Sequence, residues 1–218
     1  GRTNNSATLT FAGERKGIAS WLATPSPMKT LEYVSPNAGL AASAVTKNPR
    51  LVLEDILRML GRAGEDPQRT LAEFEQKVGV NVMNDLAASL GSEITFALDG
   101  PVLPVPAWKL VVEVLAPQRL QTSIDKMIEA AAKEMLPSSQ RIAISSETVN
   151  GRLYYKIVGS MPFEIHYSYA DGYLIAGSSR GQVISALDSR RNGVNLARSE
   201  KFRNGLPFGT NPNFSAVL

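Results

Sequence analysis

Hydrophobic residues recur along the chain with two different periods, and these periods predict where helices and strands lie. Leu53, Ile56, Leu57 and Leu60 follow Asn48-Pro49 at the spacing i, i+3, i+4, i+7. This pattern is typical of an amphipathic helix that begins with an N-cap and a proline at its first position. On the same criteria we predict helices at residues 49–60, 67–78, 82–90, 117–136 and 181–188.

Short apolar or alternating runs between turn residues predict the strands. The turn pairs Asn150-Gly151 and Asp171-Gly172 each separate two such runs, and both pairs favour tight hairpins. A charged turn between Ala7–Ala12 and Ile18–Ala23 predicts a further hairpin at the start of the chain. The predicted strands after that hairpin are residues 40–45, 94–98, 108–115, 142–149, 152–158, 165–169, 173–177 and 213–218. Because the last run ends inside a strand pattern, we expect the parent protein to continue beyond Leu218.

This order of elements predicts an α+β fold, a mostly antiparallel sheet with helices packed on one face. The stretches that begin at Glu93 and Glu164 share the order strand, turn, strand, helix, so repeated β-β-α units are one way to build it. We divide the chain into a hairpin and linker (1–37), a first lobe (38–136) and a second lobe (137–218) that shares the sheet, or else into a single domain. The predicted core comprises Leu53, Ile56, Leu60, Leu86, Ile94, Phe96, Leu110, Val112, Val114, Ile124, Ile128, Tyr155, Ile157, Leu174 and Ile175.

Composition excludes several classes of protein. The 218 residues contain 44% hydrophobic and 20% charged residues, which suits a folded core. Cysteine is absent and His166 is the single histidine, so disulfides, thiolate zinc sites and multi-histidine metal sites are excluded. The net charge of +3 is too small to indicate a nucleic-acid-binding protein. We expect no metal and no cofactor.

Three groups of residues resemble the sequences of one protein family. They are Asn84-Asp85-Leu86 with Leu90-Gly91-Ser92-Glu93, then Ala170–Ile175, then Leu196–Phe202 followed by Leu206-Pro207. In this order they resemble a family of uncharacterised bacterial proteins, described only as a domain of unknown function. The resemblance spans residues 35 to 218 and implies an export signal or membrane anchor in flanking sequence, hence a periplasmic or secreted location. It implies no reaction and transfers no catalytic residue.

One motif matches a hydrolase signature. Gly177-Ser178-Ser179-Arg180-Gly181 fits the nucleophile elbow G-x-S-x-G between a predicted strand and helix, with Ser179 as nucleophile. In that fold the histidine base follows the serine in the chain, whereas His166 precedes it. Ser179 could instead form a capping box with Gln182, and the loop could hold a phosphate on its N–H groups. His166 otherwise lies on the solvated side of its strand.

Two further segments are candidates for binding. Residues 180–203 carry six basic and two acidic residues, so Arg190, Arg191, Arg198, Lys201 and Arg203 could face an anionic partner, or form a solvated basic loop. The segment Gly100–Trp108 contains three prolines and is too apolar for an ordinary hairpin turn. Leu103 and Val105 in it either pack onto a neighbouring helix, which is the default, or project as an apolar tip that contacts a partner or a membrane.

Two functions remain after these exclusions. The first is a non-enzymatic domain of the bacterial envelope that binds another macromolecule or has a structural role in a larger exported protein. The second is a hydrolase that uses Ser179 or a pair of carboxylates.

Overall fold

Eight strands form one antiparallel sheet. They are β1 (Leu40–Val45), β2 (Leu90–Leu98), β3 (Trp108–Val114), β4 (Ala143–Val149), β5 (Arg152–Val158), β6 (Ile165–Ala170), β7 (Tyr173–Gly177) and β8 (Phe214–Val217). Their order across the sheet is β4-β5-β6-β7-β3-β2-β1-β8. The structure, a computed structural model, describes residues 13, 15, 17–63, 66–134, 142–159, 164–205 and 213–217. The predicted α+β class is confirmed, and the sheet contains strands from both predicted lobes.

In the described part of the chain, five α-helices accompany the sheet: α1 (Pro49–Arg62), α2 (Pro67–Val78), α3 (Pro117–Glu134), α4 (Arg180–Asn192) and α5 (Glu200–Gly205). The start signals read from the sequence are formed, since the Asn48 side chain accepts a hydrogen bond from the Arg50 N–H at 2.9 Å and Asp66 accepts one from the Arg69 N–H at 3.1 Å. Within the described residues, no helix has both the length and the apolar character that a membrane crossing requires.

Both predicted tight hairpins are present. Asn150 and Gly151 have φ angles of 51° and 75°, and Asp171 and Gly172 have φ angles of 51° and 82°. Positive φ at both central residues is the geometry of a type I′ turn, whose twist matches that of the flanking strands. The turns therefore fix the registers β4–β5 and β6–β7.

Two predictions of local structure are corrected, and one element was not predicted. Ile18–Ala23 is not a strand, because Gly17–Trp21 forms a 3₁₀ helix and Leu22 makes only an isolated bridge to Thr46; Ala7–Ala12 lies outside the described residues. The helix predicted at 82–90 is a short π turn, Val82–Leu86, followed by a 3₁₀ turn, Ala87–Ser89, before β2 starts at Leu90. The element that was not predicted is the 3₁₀ turn Lys29–Tyr33, which packs against α4.

The two faces of the central sheet differ in how completely they are covered. We call one the closed face; its side chains Ser43, Thr95, Lys109, Val111 and Ile175 are at most 1% exposed under α4 and the Lys29–Tyr33 turn. We call the other the open face; it carries Ala42, Ile94, Phe96, Leu98, Trp108, Leu110, Val112 and Phe214. Helices lie on both faces rather than on one, because α3 reaches Tyr167 and Tyr169 on the open side while α4 packs on the closed side.

The two β-β-α units also differ in this respect. β2-β3 is followed by α3 on the open side, whereas β6-β7 is followed by α4 on the closed side. The two units therefore share an order of elements, but their helices do not occupy equivalent places on the sheet.

The predicted core is only partly correct. Val114 and Ile175 are buried, but Leu60, Ile94 and Phe96 are at least 40% exposed, and the other ten predicted residues are half-buried. On β2 and β3 the prediction selected the more hydrophobic side, which is the open face. On these strands the closed face is formed instead by smaller or polar side chains, namely Thr95, Ala97, Val111 and the paired Lys109.

Candidate functional site

An apolar groove lies between α1 and the open face. Its volume is about 350 Å³, and its main lining residues are Val52, Leu53 and Ile56 of α1, Leu86 of the π turn, and Ile94 and Val112 of the sheet. The floor strands β2 and β3 are interior strands of the sheet, so their backbone groups are paired with neighbouring strands. The groove thus presents hydrocarbon and few hydrogen-bonding groups.

A β-bulge shapes the floor of the groove. The register of β2 against β3 shifts between Leu90 and Ile94. Glu113 stabilises the bulge, since its carboxylate accepts hydrogen bonds from the Ser92 N–H at 2.7 Å and the Glu93 N–H at 3.3 Å. Glycine suits this point, because a Cβ at Gly91 would overlap the Glu113 side chain, which would then have to move.

Glu93 lies at the edge of the groove in an unusual environment. Its carboxylate accepts a hydrogen bond from the Thr30 N–H at 3.1 Å, and it lies close to Glu113. Burial raises the pKa of Glu93, and the negative charge of Glu113 raises it further, while the backbone N–H groups oppose this shift. Among the described residues, no group of three or more acidic or histidine side chains is arranged to hold a metal ion.

The open face continues from the groove to the opposite end of the sheet. Ile94, Phe96 and Leu98 follow one another on β2, and their β3 partners are Val112, Leu110 and Trp108. At a rise of about 3.3 Å per residue, this path is roughly 13 Å long. Ile94 and Phe96 are each 40% exposed, and Phe214 on the edge strand β8 is 53% exposed. An apolar surface therefore connects the groove with the loop between β2 and β3.

A buried ion pair lies on the other side of the same strands. Lys109 Nζ is 2.7 Å from Asp99 Oδ2, and the two side chains are 1% and 6% exposed. Asp99 also accepts a hydrogen bond from the Ser35 N–H at 2.8 Å, and Lys109 Nζ lies 3.3 Å from the Ser185 hydroxyl. Burial opposes ionisation of Asp99, but the hydrogen bonds from Lys109 and Ser35 outweigh it and lower the pKa of Asp99. The Lys109 ammonium is therefore held between the Asp99 carboxylate and the Ser185 hydroxyl.

Ser179 caps α4. Its hydroxyl accepts a hydrogen bond from the Gln182 N–H at 3.2 Å, which is half of the predicted capping box. The reciprocal half is not formed, because Gln182 Oε1 is buried without a hydrogen-bond partner. His166 Nε2 lies 3.0 Å from Glu164 Oε2. In the described part of the chain no hydrogen bond joins His166 to Ser179, so the structure does not assemble the two as base and nucleophile.

Two of the predicted basic residues, Arg190 and Arg191, are bound to groups of the protein itself. Arg190 donates a hydrogen bond to the Tyr33 hydroxyl at 2.7 Å and its guanidinium lies 4.9 Å from the Tyr33 ring centroid and 5.5 Å from that of Tyr173. Burial raises the pKa of Tyr33 to about 12, although the Arg190 charge works against this. Arg191 is paired with Asp188 at 2.7 Å. The guanidinium of Arg190 therefore has a structural role.

The other members of this set, Arg198, Lys201 and Arg203, follow α4 along the chain. Arg198 and Arg203 are exposed, and the side chain of Lys201 lies outside the described part of the structure. A cleft of about 640 Å³ between α4 and the β4–β5 hairpin contains Arg152, Arg190 and Arg191, but also Asp171 and Asp188. Its mixed charge gives it no clear preference for an anion.

The loop between β2 and β3 projects into solvent. Val102 is 58% exposed, Leu103 82% and Val105 46%. The default expectation that Leu103 and Val105 pack onto a helix is therefore wrong. The reason is visible at the base of the loop, where the Asp99 N–H donates to the Ala107 carbonyl and the Ala107 N–H donates to the Pro101 carbonyl, each at 2.8 Å. These bonds close residues 101–107 into a loop of their own.

The sequence contained the groove residues but assigned them to the core. Leu53, Ile56, Leu86, Ile94 and Val112 all belong to the predicted core, because periodicity identifies an apolar side and not whether another element covers it. The Lys109–Asp99 pair was missed. Its signal was a single lysine in the otherwise apolar start of strand 108–115, with an acidic residue across the loop.

Compared with known proteins, the chain matches no family model, no curated protein and no solved structure. The family resemblance read from the sequence, with the bacterial envelope location that it implies, stays a prediction.

Proposed function

We propose that this chain is a non-enzymatic binding domain, and that its groove holds the acyl chain of a membrane lipid. One observation carries the proposal: the more hydrophobic face of the central sheet is the less covered one. Phe96 is 40% exposed, whereas its chain neighbours Thr95 and Ala97 on the closed face are 1% and 0% exposed. Exposed apolar surface of this kind typically marks a binding site.

The chemistry of the groove favours hydrocarbon as the ligand. The floor strands β2 and β3 are paired with neighbours on both sides, and the walls are mainly the apolar side chains of α1 and the π turn. A protein segment that bound by strand addition would need an edge strand, β4 or β8, rather than this face. A groove with few polar groups suits a ligand that makes few hydrogen bonds.

The size of the groove favours a single chain over a helix. Its volume of about 350 Å³ lies at the lower end of the range for ligand clefts. One turn of an α-helix with a diameter of about 10 Å and a pitch of 5.4 Å fills roughly 420 Å³. The groove is thus smaller than one helical turn, which favours an extended acyl chain over a partner helix.

Titration with the fluorescent fatty acid cis-parinaric acid tests the proposal. We expect saturable binding that palmitate reverses. Ile94→Trp fills the groove with an apolar side chain and is expected to weaken binding at least about ten-fold without lowering the melting temperature, since this loss corresponds to about 1.4 kcal/mol. Ile56→Asp is expected to have the same effect on binding.

Leu51→Asp is the matched control on the same helix. Leu51 is 52% exposed and does not line the groove, so we expect this variant to bind like the unmodified chain. If parinaric acid does not bind saturably, or if Leu51→Asp weakens binding as much as Ile56→Asp, the groove is not the site. The envelope location is proposed only on the resemblance described above.

A further inference from the structure

The exposed loop between β2 and β3 is the second apolar feature of the molecule. We call residues Pro101–Pro106 the prong. All six are exposed, and Val102, Leu103 and Val105 present their side chains to solvent while no residue from Gly100 to Trp108 is charged. We propose that the prong inserts into the interfacial region of a lipid bilayer and so docks the domain on a membrane. This inference does not depend on what the groove binds.

The backbone of the prong suits an apolar environment better than an ordinary loop does. Pro101, Pro104 and Pro106 have no N–H group, and the N–H of Ala107 is already bonded to the Pro101 carbonyl at 2.8 Å. An unpaired backbone donor is costly in hydrocarbon, so a loop that enters a bilayer must carry few of them. Proline also limits the conformational entropy that is lost on insertion.

The base of the prong is rigid and carries a tryptophan. Lys109 and Asp99 form their buried ion pair directly below it, and Ser35 donates a further hydrogen bond to Asp99. Trp108 follows the prong on the open face and is half-buried. Tryptophan is enriched at the level of lipid headgroups, and this is the depth at which Trp108 would lie when the tip of the prong is inserted.

The surroundings of the prong favour a lipid surface over an acidic or basic protein partner. The neighbouring turn, residues 34–39, has no charged residue. The next cation along this end of the sheet, Arg180, contacts Glu147, and Lys156 and Glu164 further along are 2.7 Å apart. Among the described residues, the end of the sheet that carries the prong is therefore close to neutral, which predicts binding that does not depend on anionic lipid.

The open face extends the apolar surface of the prong. Leu98 and Trp108 lie at the base of the prong, and Phe96 and Leu110 come next on the same strands. A bilayer that receives Leu103 would thus also meet a continuous apolar surface behind it, rather than an isolated side chain.

Sedimentation with phosphatidylcholine vesicles at millimolar lipid tests the proposal, because a few side chains bind more weakly than a myristoyl chain, whose association constant is about 10⁴ M⁻¹. We expect binding that is unchanged between low and high salt. Leu103→Asp is expected to weaken it at least about ten-fold and to leave the melting temperature unchanged. Val194→Asp, at a loop position that is 63% exposed, is the control and is expected to bind normally.

A second measurement reports insertion directly. The chain has two tryptophans, so Trp21→Phe leaves Trp108 as the sole tryptophan, whose fluorescence is excited selectively at the long-wavelength edge of the absorption band. Vesicles with brominated acyl chains are expected to quench Trp108 in this variant and not when Leu103→Asp is added.

Several results would overturn the proposal. If the chain does not bind phosphatidylcholine vesicles, the prong contacts a protein partner instead. If it binds only anionic phosphatidylglycerol vesicles and salt abolishes this binding, the contact is driven by charge. A melting temperature lowered by several degrees in Leu103→Asp would show that the prong is packed. Loss of vesicle binding in Ile94→Trp would assign the effect to the groove instead.

Discussion

The buried Lys109–Asp99 pair gives the sharpest prediction about stability. Lys109→Met removes the cation and leaves the Asp99 carboxylate buried with the Ser35 N–H as its remaining partner. Breaking a buried ion pair by removing one partner costs about 3–5 kcal/mol, because the other charge is left uncompensated. For a chain of this length, 1 kcal/mol lowers the melting temperature by about 2–4 °C, so we expect a decrease of about 6–20 °C.

Lys156→Met is the matched control. Lys156 Nζ is also 2.7 Å from its partner Glu164, but the two side chains are 40% and 46% exposed. Exposed pairs contribute about 0–1 kcal/mol, so this variant is expected to unfold close to the unmodified chain. The two variants thus separate burial from distance as the origin of the effect.

The double variant Lys109→Met/Asp99→Asn removes both charges and keeps an acceptor for the Ser35 N–H. We expect it to recover most of the stability lost in Lys109→Met, with a coupling energy of about 2 kcal/mol or more in a double-mutant cycle. Urea unfolding, followed by circular dichroism at pH 7, gives the free energy of unfolding of the unmodified chain, the two single variants Lys109→Met and Asp99→Asn, and the double variant. A cost below about 1 kcal/mol for Lys109→Met would contradict the burial of the pair.

The pH dependence supplies a further check. The pKa of Asp99 is lowered on folding, so the stability that its ionisation contributes is fully present above the unfolded value near 3.9 and is lost as the pH falls through the folded pKa. In Lys109→Met the carboxylate has lost its cation and takes up a proton more readily. The difference between the two chains is therefore expected to be largest at neutral pH and to shrink towards pH 4. A difference that grows on acidification would refute this reasoning.

Three more predictions concern single residues. Ser179→Ala removes the cap of α4 and is expected to lower the free energy of unfolding by about 1 kcal/mol. We also expect that a serine-reactive fluorophosphonate probe does not label the unmodified chain. Labelling of the unmodified chain that is lost in Ser179→Ala would favour the hydrolase alternative. Arg190→Lys keeps the charge but loses the planar contact with the Tyr33 and Tyr173 rings, so thermal unfolding should show a loss of about 1–2 kcal/mol, and an unchanged midpoint would contradict a structural role. Glu93 has a raised pKa on folding, so the unmodified chain should gain stability relative to Glu93→Gln as the pH falls from 7 towards 4, and parallel pH profiles would contradict its burial.

Local chemistry made much of the fold predictable. The capping residues Asn48 and Asp66, each followed by proline, mark the true starts of α1 and α2. The two pairs of residues with positive φ, at Asn150 and Asp171, mark true hairpins. These features depend on a few adjacent residues, so a single sequence contains them in full.

Coverage of the sheet was not predictable in the same way. On β2, Ile94 and Phe96 alternate with Thr95 and Ala97, and neither pair contains a charged or strongly polar side chain. The sequence therefore does not show which side of the strand faces solvent. Which side is sealed depends on where α1 and α4 come to lie, and that is decided by contacts between distant residues. The small side chains of the closed face permit close packing, and a lysine is tolerated there only because Asp99 meets it.

The N-terminal error has a related cause. Ile18–Ala23 has the composition of a strand, but a strand forms only where another strand can pair with it. Within the described residues, Leu22 forms a single bridge with Thr46, the residue that follows β1. For the prong, the prolines correctly indicated a stiff loop, but the exposure of its side chains could be seen only in the structure.

Photo-crosslinking with a palmitate analogue that carries a diazirine near the middle of its chain tests the central claim most directly. The claim is that the incompletely covered side of the sheet is a binding site for hydrocarbon. We predict that mass spectrometry will place the crosslinks on α1 around Val52 and Ile56 and on the sheet around Ile94 and Val112, and that excess palmitate will prevent them. Crosslinks that spread over the surface, or that concentrate in the cleft beside Arg152 and Arg191, would contradict it.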